Sequence, residues 1–427
     1  MIRAARFLPA SLRSALHRAV IPRTFFDDVF GFREDTEFMS PGGYARTQAR
    51  FTFDPRSGVL VSLANNRSYS TGHFSTPTLA DLRREATLLL SRTASDSSRC
   101  SLDHIAVADI RTVHARHPGA LFQAASQFNC LEMVSPEVTP EDGISIYAMD
   151  KTQGPACSIA CAPGTVVRNY FVDVGVHAHP SARVARGELG QRARRQVNNL
   201  DGVAAALQAL RPTPSQHEDP PWAVVNGYVL VLDRQALLDA NATLAAHKTA
   251  VGDALKIGLH ADTEVVAAVA DGSSSESSTR RPVTVSQAYC AAVPMAAGDS
   301  IVYELGTLAD VVLAVRIVVW GSLSSTAACP AHPLLRQATY EATLWAAVLN
   351  SQRTGCHDVF LTFVGGGVFR NPGSLIESAL GRAVSTVARA GATLRVHVCH
   401  HEAVDTARAQ CINAILAPEV ILRPGSV

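Results

Sequence analysis

The chain has 427 residues with 38 basic and 37 acidic side chains, a formal charge of +1, and is 47% hydrophobic and 18% charged. A chain of that length and apolarity buries a large core in two or three structural units and is not a disordered polymer. Its balanced charge excludes bulk attraction to nucleic acid or an anionic membrane, and no run approaches the roughly 18 uninterrupted apolar residues of a membrane span.

The nine cysteines are odd in number, scattered and mostly set among apolar residues. That usage fits reduced, buried thiols inside a cell. Cys157 and Cys161 form a close pair, but no second Cys or His pair stands at metal spacing, so no metal site is expected.

The first 26 residues hold five arginines and no acid, with apolar residues at helical spacing. They read either as a mitochondrial-type transit peptide or as a basic amphipathic helix docked on the first domain, so the compartment is cytoplasmic or mitochondrial. Residues 27–98 read as a small α+β region. It contains FDDVFGF, a hairpin formed by 50–53 and 58–63 across Asp54-Pro55-Arg56-Ser57, and a helix from Thr76 or Thr78 carrying Leu79, Leu82, Leu88 and Leu89. The small polar stretch at 91–101 marks a boundary, and 99–427 reads as one α/β domain with insertions.

In that second part, short apolar runs at 105–108, 120–125, 165–174 and 222–233 read as buried strands. Helices are expected at 191–210, 235–250, 334–351 and 374–390, with a polar insertion at 271–282. The segment DKTQGPAC reads as a helix start with Asp150 or Thr152 as N-cap and Gln153 and Gly154 in the first turn.

Near the end, a strand at 358–364 runs into VGGGVFRNP and then a helix. Three residues without side chains let the backbone approach a ligand and turn its N–H groups on a phosphate, whereas the plainer reading is close strand–helix packing. No lysine follows, so this is not a P-loop. Asn371-Pro372 stands where a dinucleotide fingerprint has its third glycine.

Helix, short connection, strand, glycine loop with an aromatic residue, and helix together resemble the closing elements of a macrodomain, the module that binds ADP-ribose. Residues 105–132 resemble its opening, with Asp109-Ile110 at the pair that meets adenine and Phe122-Gln123-Ala124-Ala125-Ser126 in place of the usual asparagine motif. FNCLEM, TPEDG, DKTQGPAC, RNY, NGYVLVLD, QAYCAAVP, YEATLWAA and VGGGVFRNP, in that order, are similar to the MavL-type ADP-ribosyl-ubiquitin hydrolase group.

The resemblance implies a three-layer macrodomain-like mixed sheet with helices on both faces. It implies an ADP-ribose site formed by Asp109, Ile110, Ser126, Asn129, Gln153, Gly154, Gly365, Gly366, Gly367, Val368, Phe369, Arg370 and Asn371. The activity implied is removal of ADP-ribose from protein, from an arginine of ubiquitin, without metal or cofactor. The alternatives are a binding module without turnover and a hydrolase of a free ADP-ribose derivative. Such chemistry needs a carboxylate to activate water, for which Asp142 and Asp150 come first, then Asp262, with Glu141 and Asp299 behind.

Overall fold

The structure, a computed structural model, describes residues 23–92, 99–182, 184–210, 220–233, parts of 236–246, and 247–266, 282–293 and 338–423. The basic segment at 1–22, the polar insertion at 271–281 and Asp299 lie outside the described residues.

Thr24 opens helix α1 (Phe25–Phe30) through a capping box, its hydroxyl accepting from the Phe26 amide while Asp27 accepts from its own N–H at 2.9 Å. Phe26 and Phe30 then pack edge to face with Phe51 and Tyr69. Those last two residues come from a three-stranded antiparallel sheet of β1 (Phe51–Asp54), β2 (Val59–Ser62) and β3 (Ser68–Ser70), whose first turn is the expected hairpin. Thr78 caps α2 (Leu79–Arg92), its hydroxyl accepting from the Asp81 amide at 3.1 Å.

The strands beyond α2 that join the main sheet are β5 (Cys100–Val107), β6 (Leu121–Ser126), β9 (Gly258–Glu264), β10 (Thr284–Ala291), β11 (Asp358–Leu361), β12 (Leu394–His401) and β13 (Val420–Leu422). With β4 (His73–Ser75) they form an eight-stranded sheet in the order β13-β5-β12-β11-β6-β10-β9-β4. Strands β13 through β10 in that order run parallel, while β9 and β4 run antiparallel at one edge. The 27–98 region therefore shares a sheet with the rest of the chain, because β4 is its edge strand.

One face of the sheet, carrying Leu121, Val359, Leu361, Val396 and Val398, packs under α2, α7 (Ala338–Thr354), α8 (Gly373–Arg389) and α9 (Thr406–Asn413). The other face, carrying Phe122, Phe360, Tyr289 and Cys399, meets α3 (Ile110–Arg116) and α4 (Gln153–Ala160). The alternation of neighbouring residues between these clusters is the two-residue period of a strand covered on both sides. The result is the three-layer α/β arrangement that the resemblance implied.

Three readings are corrected. The run 165–174 is not a strand. It continues α5 (Ala162–Val166) into a π-helical turn at Val167–Phe171, and its apolar positions show no period because almost every side chain is buried. The run 222–233 is two strands, β7 (Trp222–Val225) and β8 (Tyr228–Val231), folded about Asn226-Gly227 into a hairpin outside the main sheet. Of the helix expected at 191–210 only α6 (Asp201–Leu210) forms.

Candidate functional site

In an open parallel sheet, ligands sit beyond the carboxyl ends of the strands where the direction of winding reverses. Here β6 is followed across the sheet by β10 on one side, and β11 by β12 on the other, so the reversal lies between β6 and β11. These strands pair only at Val359–Leu121 and Phe360–Phe122 and then part. Side-chain amides take over the freed backbone groups. The Thr362 N–H donates to Gln123 Oε1 at 3.2 Å, while Gln153 accepts from the Ala125 N–H and donates to the Gln123 carbonyl, both at 2.8 Å.

The glycine loop leaves β11 at this point. Gly365 holds φ +79°, and a Cβ there would lie 2.6 Å from that of Ala292 just beyond β10. Asn371 closes the loop, its N–H donating to the Gly365 carbonyl and its side chain to the carbonyls of Val293 and Gly365. Gly366 packs on Ile376, whereas Gly367 faces open space. The N–H groups of Gly367, Val368 and Phe369 have no hydrogen-bond partner among the described residues. Val368 is 72% exposed, and Arg370, at φ +52°, is exposed. Phe369 rests on the main core, its ring centroid 5.7 Å from that of Tyr228.

Opposite this loop, α4 begins beside the end of β6. A Cβ on Gly154 would lie 2.1 Å from the Ala125 carbonyl oxygen, so only glycine lets the helix start so close to the strand. The N–H groups of Gln153 and Gly154 have no hydrogen-bond partner among the described residues. Ser126, at the end of β6, is buried. Asn129 is buried too, but it is engaged within the fold: its carboxamide accepts from the Leu131 N–H at 3.0 Å and donates to Gln196 at 2.9 Å.

The carboxylates fall in different places. Asp109 follows β5, two strands from β11, where it caps α3 and is gripped by the half-exposed Arg111 at 2.7 Å; bonds from Arg111 hold its carboxyl below the usual range. Ile110 beside it is buried. Asp142 is buried as the closing residue of a 3-10 turn, accepting from the Thr139 N–H and hydroxyl. Glu141 accepts from the Ala193 N–H. Asp150 accepts from the Thr152 N–H at 2.8 Å just before α4.

Asp262 is not on a loop reaching the cleft. It sits within β9 beside Ser286, near the start of β10 and so at the opposite end of the sheet, paired with Arg353.

The carboxylate that sequence reasoning missed is Glu132, in FNCLEM. It is 4% exposed, its Oε2 lies 2.6 Å from where a Gly154 Cβ would stand, and the Ser158 hydroxyl is 3.4 Å from Oε1. Burial raises its pKa to about 7, against the lowering effect of Ser126, Arg168 and Ser158 and with help from the charge of Asp150. Tyr228 was missed as well. It donates to the Met133 carbonyl at 2.7 Å and thereby holds the hairpin against the segment that carries Glu132.

The thiols of Cys130, Cys157 and Cys290 are all buried, and burial raises each of them, which removes them as nucleophiles. Among the described residues no cluster of His, Cys, Asp and Glu could hold a metal, and no helix is long and apolar enough to cross a membrane.

No protein-family model matches the chain, and neither does any curated protein. Among solved structures it is similar to the poly(ADP-ribose) glycohydrolase of Thermomonospora curvata, with 11% identity over 87% of this chain and 97% of that one and a TM-score of 0.31. A superposition that loose does not bear on function.

Proposed function

We propose that this chain is a macrodomain-type ADP-ribosylhydrolase that removes ADP-ribose from a modified protein, with an arginine of ubiquitin as the acceptor implied by the sequence resemblance. The observation that carries the reading is the crevice between β6 and β11. Unpartnered backbone N–H groups of the glycine loop stand on one side, those of the first turn of α4 on the other, and Glu132 lies beside the latter.

Two sets of backbone donors suit a pyrophosphate, which carries two adjacent charged groups and needs no metal when N–H groups surround it. Asp109-Ile110, two strands from β11 and so about 10 Å away, is within the span of an adenosine. Phe369 and Tyr228 offer ring faces to the distal ribose. Glu132 then takes a proton from a water molecule as the water oxygen bonds to the anomeric carbon. The bond from that carbon to the acceptor nitrogen breaks, and the nitrogen leaves with its electron pair and a proton from solvent. A carboxyl near 7 is placed to do this around neutral pH, because a base works best when its affinity for the proton is close to the ambient pH. Asp150 and Asp142 serve by holding the segments on either side of Tyr147.

Calorimetry with ADP-ribose is the first test: no heat at millimolar ligand removes the reading. Incubation with arginine-ADP-ribosylated ubiquitin is the second. Wild-type protein should release the label, and Glu132→Gln should bind ADP-ribose with unchanged affinity while losing turnover by about a hundredfold or more. Binding without release by the wild type would favour a reader module, a reading that the engagement of Asn129 within the fold supports.

A further inference from the structure

Arg168 has no role in the proposed hydrolysis, yet it is the largest fully buried side chain among the described residues. It lies on the π-helical turn after α5, with its guanidinium 3.7 Å from the centre of the Tyr289 ring. Every nitrogen is satisfied. Nε donates to the Cys130 carbonyl at 3.1 Å, Nη1 meets His260 Nδ1 at 3.1 Å, and Nη2 donates to Thr165 Oγ1 at 2.9 Å and to Ser158 Oγ at 3.2 Å. None of these partners is a carboxylate. A guanidinium stays charged when buried, and a buried charge needs a counter-charge close by.

The carboxylate one side chain away is Glu132. Ser158 stands between them, receiving a hydrogen bond from Arg168 and so left to donate its own hydrogen to Glu132 Oε1. We infer that Ser158 and Arg168 are positioning residues for Glu132: the guanidinium, acting through one serine hydroxyl, holds Oε1 and leaves Oε2 toward the first turn of α4. A guanidinium offers this fixed fork where an ammonium would not.

The same arrangement favours the charged carboxylate in a site whose burial opposes it. The other groups that face Glu132 are Asp150, Tyr147, Tyr228, Tyr289, Cys130, Cys157 and the neutral Ser126 hydroxyl, which also favours the charged form, and none is a cation. The inference rests on the proposal that Glu132 activates water, but its physical content, the coupling of Ser158 and Arg168 to one carboxyl, can be read without turnover.

The test is a carbon-13 NMR titration of the full-length protein with its glutamate carboxyls labelled, the Glu132 signal being identified by its loss in Glu132→Gln. Ser158→Ala should move that titration upward by about one pH unit, which lowers activity about tenfold at pH values below both midpoints and leaves KM unchanged. Ser158→Thr, which keeps the hydroxyl, should restore both.

Arg168→Met should move the titration further in the same direction. If that variant fails to fold, Ser158→Ala and Ser158→Thr still decide. An unmoved Glu132 titration in Ser158→Ala overturns the inference. A moved titration in a protein that never cleaves ADP-ribosyl bonds upholds the coupling and overturns the hydrolase reading instead.

Discussion

The three consecutive glycines do different work. Gly365 alone combines a left-handed backbone with a neighbour at 2.6 Å, so a side chain there collides with Ala292 and strains the turn. Gly367 has neither constraint, since its φ is ordinary and nothing lies within 4 Å of a Cβ placed on it. Gly365→Ala should therefore lower the melting temperature, by an amount corresponding to about 1–3 kcal/mol. Gly367→Ala should leave melting unchanged and weaken ADP-ribose binding by about tenfold, because the added methyl stands in the open space from which a phosphate reaches the unpartnered N–H groups. Differential scanning fluorimetry and calorimetry separate the two; equal behaviour of both variants would take the loop out of the site. VGGGVFRNP announced its loop in the sequence because glycine and Asn-Pro are local signals. Glu132 did not, because what sets it apart is burial against Gly154, Ser158 and Arg168, residues 22 to 36 positions further along the chain.

At the scale of elements, legibility followed the same division. The glycine strand, α8 and the β1–β2 hairpin carry period, glycine or turn chemistry within their own residues, and they form close to where those signals fall. The run around Arg168 carries β-branched residues with one arginine among them, which in isolation fits a buried strand. Its helical form is set by the carbonyls, hydroxyls and ring that receive the guanidinium, none of which a local pattern reveals. The β7–β8 hairpin was readable from Asn226-Gly227, but apolar residues on both sides made it look like one long strand. His400 is buried near the end of β12 at 3.0 Å from His104, while His401 beside it is exposed, an alternation that its own short polar run does not announce.

At the scale of the molecule, several buried histidines make stability depend on pH. His114, wholly buried against Phe122 and bonded to the Ile110 carbonyl and Gln287, is pushed down to about 4 by burial, and His177 and His400 are pushed down to about 4 likewise. The unfolded chain binds protons at these sites from about 6.5 downward while the folded one resists, so the stability they give is present above 6.5 and lost as pH falls toward 4. His397 works the other way. Burial alone would lower it, but bonds to Asp103 and Asp358 raise it overall, so its contribution is present below 6.5 and lost as pH rises through its folded value. His104, His117 and His260 are also lowered by burial, so among the described residues six depressed histidines stand against His397, the buried Glu34 and Glu132 and the part-buried Glu264, whose raised pKa values give stability that grows as pH falls. With the histidines in the majority, the urea midpoint should drop between pH 7.5 and 5, and drop more steeply in His397→Gln; a flat profile would contradict the assignment.

The pairing of β4 with β9 has one more outcome. His73, Phe74 and Ser75 occupy the backbone groups of Ala261, His260 and Leu259, on a sheet that otherwise ends there. A strand stripped of such a neighbour is a template for any other extended chain, including a second molecule of its own kind. A protein beginning at residue 99 should therefore self-associate where the full chain does not. Light scattering would show polymer growing with concentration, and addition of a synthetic peptide spanning 68–78 should arrest it.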